Sequence, residues 1–262
     1  LTEEGLGELV RYAADKGVVL FSSVFDEASA DTMDGLGAPA FKIASGDITH
    51  LPLLRHVGAK GKPVILSTGG SDMGEVEAAV RAIRDGGPNV QIALLHCVSN
   101  YPTAPEEVNL ACMGTLQAQF DCPVGFSDHT LSDALAVIAV ASGACIIEKH
   151  FTHDTKANGP DHALSADKDS LKSIAAGMKL AWLAQGGASK TPVEDLDFIK
   201  QIRRSLTAAV DIPSGTTITR DMLAIKRPGT GIAPGDAALV PGMTATRNID
   251  ADETIHWPDV AR

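Results

Sequence analysis

Short aliphatic runs alternate with helix-period segments along most of this chain, and each run ends in polar or titratable residues. The runs are residues 18–23, 40–45, 63–68, 92–97, 124–127 and 145–151. Between them, residues 71–85 carry Met73, Val76, Ala79, Val80 and Ile83 at steps of three and four, with Arg, Glu and Asp on the other face. That is the pattern of an amphipathic helix. Residues 131–141 and 169–184 behave likewise, and Asp26, Asp47 and Ser71 are the expected helix-start residues. Strand alternating with helix calls for parallel strands joined by crossover helices, in a doubly wound sheet or a (β/α) barrel.

The polar strand ends choose between the two. They are Ser22-Ser23, Lys42 with Ser45, Ser67-Thr68, His96 to Ser99, Ser127 to His129, and Glu148 to His150. In a barrel all strand ends converge on one rim, where chemistry is done. In an open sheet the chemistry gathers at one switch point, and the other edges need not be polar. The expected class is therefore α/β, a (β/α)8 TIM barrel. A barrel needs eight strands, so this one is expected to lack its first two βα units. After the Gly/Ser/Pro stretch at residues 185–192 the pattern changes to a helix over 193–204 and then short strands with Gly/Pro turns. The expected domains are a barrel over 1–187, a linker and helix over 188–204, and a small β-rich domain over 205–262.

Composition removes several function classes. A hydrophobic content of 44% and a charged content of 21% are those of an ordinary globular protein. The formal net charge of −11 argues against nucleic acid, although a few local cations can still hold a small anion. The longest apolar stretch, residues 134–147, contains Ser142 and Gly143 and falls short of the ~20 residues a membrane span needs. No signal peptide is visible. Cys97, Cys112, Cys122 and Cys145 show no CxxC spacing and sit in or beside apolar segments. Reduced, buried thiols in a cytoplasmic protein are expected.

Two histidines stand out, His129 in GFSDHT and His150 in IEKHF, both ending strands. On adjacent strand ends they can share one divalent cation, for which imidazole suits Mn, Fe or Zn; the alternative is two structural hydrogen-bonding residues. Lys42, inside the apolar strand FKI, must meet an anion or lose its proton. Asp47 or another carboxylate is one candidate partner, and an anionic substrate is the other. Ser23, Ser45, Ser67 and Ser127 can offer hydroxyls to a phosphate or carboxylate, or else serve as turn and cap residues. Asp161, in GPDH, can accept sugar hydroxyls or simply make a Pro-Asp turn. Lys226-Arg227 is a basic turn in the small domain.

Together, FKIASGD (41–47), PVILSTGG (63–70), LLHCVSNYPT (94–103), GFSDHT (125–130), IEKHFT (147–152), GPDHALSAD (159–167) and KRPGTGI (226–232) resemble the sialic acid synthase family, in that family's order. The resemblance implies a (β/α)8 barrel followed by a small antifreeze-like SAF domain. It implies condensation of phosphoenolpyruvate with N-acetylmannosamine or a related N-acetylated hexosamine to a nine-carbon 2-keto acid plus phosphate. It also implies a domain-swapped homodimer. Carried over by motif, His129 and His150 are metal ligands for manganese or magnesium. Lys42, Ser23, Ser45, Ser67, Ser99 and Ser127 hold phosphoenolpyruvate, with Ser99 standing where some members have Asn. Tyr101 and Asp161 belong to the sugar site, and Arg227 reaches a partner's sugar. Asp47 is the acid–base candidate, one methylene shorter than the Glu that other members often carry. The family's opening strands, with a Glu, an Asn-His motif and a Lys, have no counterpart here. Legionaminic or pseudaminic acid synthesis, a 3-deoxy sugar acid synthase and a non-catalytic carbohydrate-binding protein are the alternative readings.

Overall fold

The computed structural model describes residues 2–262. The chain divides into two compact units, the first running to Gly186 and the second Gly187–Arg262.

The first unit begins with two helices, α1 (Glu3–Asp15) and α2 (Glu27–Gly35). It then alternates β1 (Phe41–Ile43), α3 (Leu51–Ala59), β2 (Val64–Ser67), α4 (Met73–Gly86), β3 (Ile92–Cys97), α5 (Cys112–Phe120), β4 (Val124–Asp128), α6 (Asp133–Ala141), β5 (Ile147–Lys149) and α7 (Lys168–Gln185). All neighbouring strands pair in parallel, and the sheet order is β1-β2-β3-β4-β5. A doubly wound sheet reverses its strand order at a switch point. This one never reverses, as expected of strands laid side by side in a barrel wall. The sheet is a curled half barrel of five strands.

Burial follows from strand composition. Phe41, Ile43, Val64, Leu66, Leu94 and Phe126 are buried in one apolar cluster with Val76, Ala79, Val80 and Ile83 of α4. Those α4 residues are the face the sequence spacing predicts. Asp72 caps α4 by accepting from the Glu75 N–H, and the Glu75 carboxylate accepts from the Asp72 N–H, a reciprocal capping box. Truncating a fully buried member such as Leu66 to Ala would cost about 2–5 kcal/mol.

Three local expectations need correction. Residues 18–23 do not form a strand. They contribute one parallel bridge, Ser23 to Lys42, because the segment pairs only with β1, while Val18, Val19 and Phe21 are exposed. Asp47 does not start a helix. It ends a single 3-10 turn, Ser45–Asp47, and α3 is instead capped by His50, whose ring accepts from the Leu53 N–H. Ser71 yields its capping role to Asp72, one residue on.

The second unit contains α8 (Leu196–Ile202) and two antiparallel pairs, β6 (Ser205–Ala208) with β7 (Leu223–Lys226), and β8 (Thr244–Ala245) with β9 (Val260–Ala261). Leu206, Ile212, Ile218, Val240, Ile249 and Ile255 form its own apolar core. The helix expected over 193–204 is shorter, and residues 231–232 and 240–242 lie outside regular strands. Among the described residues, no helix is long and apolar enough to cross a membrane.

Candidate active site

Parallel strands in chain order bring all their C-terminal ends to one edge, and there the first unit carries an open cavity of about 700 Å³. Ser23, Lys42, Ser45, Ser67, Ser99, Tyr101, Ser127, His129 and His150 all line it. Their separation along the chain is undone by register alone: Lys42 pairs with Ile65, two residues before Ser67, and Ser127 lies opposite Glu148.

Lys42 sits at the buried end of this cavity. Its ammonium donates to the Ile43 carbonyl at 2.7 Å and to Ser67 Oγ at 2.8 Å, and lies 3.7 Å from Glu148 Oε2. Two of its three hydrogens are thereby committed, and the third remains for an anion. Burial pushes the Lys42 pKa below the ordinary lysine value, while the Glu148 carboxylate works against that shift. Glu148 is in turn held by Ser127, whose hydroxyl donates to Oε1 at 2.6 Å.

The carboxylate facing Lys42 is thus Glu148, not Asp47, which is absent from the cavity lining. Glu148 was missed as a site residue, although a signal was present. It lies two residues before His150, and on a strand that spacing returns a side chain to the same face. Asp161 is also outside the lining, with Oδ2 3.8 Å from His150 Nδ1. Arg227 belongs to the second unit, where its Nε donates to the Ile202 carbonyl at 2.9 Å.

A backbone cradle lies beside Lys42. The Gly69 N–H donates to Ser45 Oγ at 2.9 Å. A Cβ on Gly69 would fall 2.4 Å from Ser99 Oγ, 2.9 Å from Ser45 Oγ and 3.0 Å from Cys97 Sγ. Only glycine lets these groups converge.

The imidazoles of His129 and His150 are adjacent, with ring centroids 5.3 Å apart. The Tyr101 ring lies 4.1 Å from that of His129 and 5.7 Å, edge-on, from that of His150. His129 Nδ1 is 3.0 Å from the Val98 carbonyl. A carbonyl only accepts, so Nδ1 carries the proton and the neutral ring keeps its lone pair on Nε2. Burial lowers the His150 pKa, and the nearby His129 lowers it further, which favours a neutral ring with a free lone pair. This donor set fits a divalent cation as far as two nitrogen ligands. Among the described residues no cluster of three His, Cys, Asp or Glu is arranged to hold a metal, so water or substrate oxygens would complete the shell.

Compared with known families, residues 1–190 match the model of the NeuB family. The chain belongs to the NeuB family. Residues 203–261 match the SAF domain, so this NeuB-family chain joins a half-barrel unit to a C-terminal SAF domain. It is 42% identical to an uncharacterised protein of Methanocaldococcus jannaschii, over 99% of this chain and 77% of that protein. It is 39% identical to N,N'-diacetyllegionaminic acid synthase of Legionella pneumophila, over 99% of this chain and 74% of that enzyme. Further relatives include pseudaminic acid synthase of Helicobacter pylori and human N-acetylneuraminate-9-phosphate synthase, at 32% and 33% identity. The crystal structure of a putative spore coat polysaccharide biosynthesis protein E from Chromobacterium violaceum superposes with a TM-score of 0.82 at 26% identity, covering 100% of this chain and 79% of that one.

Proposed function

We propose that this chain condenses phosphoenolpyruvate with an N-acetylated hexosamine and water, giving a nine-carbon 2-keto sugar acid and phosphate. The observation that carries the proposal is one bonded set, Ser67–Lys42 and Glu148–Ser127, in the same cavity as two adjacent imidazoles. A buried ammonium with hydroxyls around it, beside a single carboxylate, suits an anion rich in oxygens. The legionaminic, pseudaminic and neuraminate phosphate synthases among its relatives support a sugar acid product. They leave N-acetylmannosamine, its 6-phosphate and diacetamido sugars as the candidate acceptors.

In this reading Lys42 and the hydroxyls of Ser45, Ser67, Ser99 and Ser127 bind the phosphate and carboxylate of phosphoenolpyruvate. They hold its C3 against the aldehyde carbon of the open-chain sugar, the orientation such a bimolecular step needs. The new C–C bond forms as the enol π electrons of C3 attack the aldehyde carbon; the aldehyde C=O π pair moves onto its oxygen, which takes a proton to become a hydroxyl, and C2 becomes an oxocarbenium centre. Water adds there and loses one proton to a carboxylate; the C2–O bond to phosphate then breaks with its electron pair leaving on phosphate, which takes the second proton of the added water as the 2-keto group forms. Glu148, hydrogen-bonded and within reach of Lys42, is a better-sited carboxylate for that proton than Asp47. A manganese or magnesium ion on His129 and His150 would supply Lewis-acid polarisation of the aldehyde oxygen. Tyr101 and Asp161 are assigned to the sugar, and Arg227 to the sugar of a second copy in a domain-swapped homodimer. The barrel is assigned the eight-stranded family form of which this chain carries the later strands.

The test is phosphate release and product mass with phosphoenolpyruvate and each candidate acceptor in turn, with Mn²⁺ present. Turnover with one acceptor and none with His129→Ala supports the proposal. A folded chain that releases no phosphate with any acceptor overturns it.

A further inference from the structure

Directly before each of the two cavity imidazoles stands a charged residue that the chemistry above does not use. Asp128 precedes His129 and Lys149 precedes His150, and the two are register partners across β4 and β5. Their side chains are 0% and 6% exposed, with Lys149 Nζ 3.0 Å from Asp128 Oδ2. The other carboxylate oxygen, Oδ1, accepts the Thr130 N–H at 2.8 Å. Lys149 also donates to the Thr130 carbonyl. Three bonds therefore close around the turn 128–130, with His129 at its centre. The chain is pinned again at His129 itself, whose carbonyl accepts from the Thr103 N–H at 3.0 Å.

A buried ion pair is a poor way to stabilise a fold, because removing both charges from water offsets most of their attraction. Apolar residues of similar volume would stabilise this position as well or better. What the ion pair does supply is direction, since a carboxylate with two fixed donors and an ammonium with two fixed acceptors permit one geometry. We infer that the Asp128–Lys149 pair is a positioning element that sets the spacing and orientation of the His129 and His150 rings, and through them the affinity for a divalent cation. The second half of this statement rests on the metal reading of the two histidines; the first half does not.

The deciding experiment uses the full chain with ¹⁵N-labelled histidine and the paired variant Asp128→Leu/Lys149→Met, which replaces the ions by apolar groups. Long-range ¹H–¹⁵N spectra of the metal-free protein report the tautomer and environment of each ring, assigned through His129→Ala and His150→Ala. The expected result is loss of the fixed His129 and His150 signals, with the other histidines unchanged and a thermal midpoint near that of the parent. Mn²⁺ titration should show at least tenfold weaker binding. Unchanged His129 and His150 signals overturn the inference. If the rings move while the parent never bound Mn²⁺, positioning stands and the metal reading falls. Should the paired variant not fold, Asp128→Asn, which keeps an acceptor for Thr130 but removes the charge, gives the same comparison.

Discussion

Glu148 Oε2 lies 3.7 Å from the Lys42 ammonium, while its other oxygen accepts from Ser127. Two groups from opposite edges of the sheet thus share one polar set, and the Lys42 ammonium in β1, inside an apolar strand, has side-chain partners drawn from β2 and β5. Replacing Lys42 by Met should preserve the fold, since the methylene stem stays packed. It should weaken phosphoenolpyruvate by about 10- to 100-fold, the range of one or two charge-assisted hydrogen bonds. Calorimetric titration with phosphoenolpyruvate checks this, and equal affinity in parent and variant would remove Lys42 from the anion site.

The same pair makes a prediction about pH. Burial, the larger cause, lowers the Lys42 pKa, and Glu148 opposes it. Binding that requires the ammonium should therefore fade at a lower pH than for an ordinary lysine. Glu148→Gln removes the opposing charge, so the alkaline limb of phosphoenolpyruvate affinity, read by calorimetric titration, should move further down in pH. A limb that stayed in place or moved up would contradict the coupling.

Gly69→Ala tests the oxygen cradle. The added methyl would crowd Ser99 Oγ, Ser45 Oγ and Cys97 Sγ, groups that can rotate away, so the fold should survive. The cradle would not. The KM for phosphoenolpyruvate should rise about tenfold or more, with the KM for the sugar little changed.

In the second unit, Asp259 receives Arg247 Nε at 2.6 Å and the His256 N–H at 2.8 Å. Burial alone would raise its pKa, but these bonds outweigh burial and the net shift is downward. A carboxyl whose folded pKa is below its unfolded value stabilises above the unfolded pKa, about 3.9. That contribution is lost as pH falls through the folded value. Asp259→Ala should lower the thermal midpoint of this unit by roughly 5 °C at neutral pH, and the deficit should shrink in acid. Scanning calorimetry between neutral pH and about pH 3 reads both. A deficit that grew in acid would reverse the sign.

Much of the first unit was legible because its signals are local. The apolar spacing of α4, the cap at Asp26 and the aliphatic cores of β1 to β4 depend on residues a few positions apart. Where two neighbours competed for one role the reading slipped, as with Ser71 and Asp72. Residues 18–23 carry the composition of a strand but pair on one side only, through a single bridge, and composition cannot report how many partners a strand has.

By itself, the amino-acid sequence determined the alternation of strand and helix, the polar residues that end each strand, and the family to which the motifs belong. It could not decide which carboxylate faces Lys42. Asp47 is near in the chain and Glu148 is far. Only the parallel register, which aligns Ser127 with Glu148 and Asp128 with Lys149, makes the distant residue the neighbour. Register is a property of paired strands: a shift of one residue would turn Glu148 and His150 away from the cavity together.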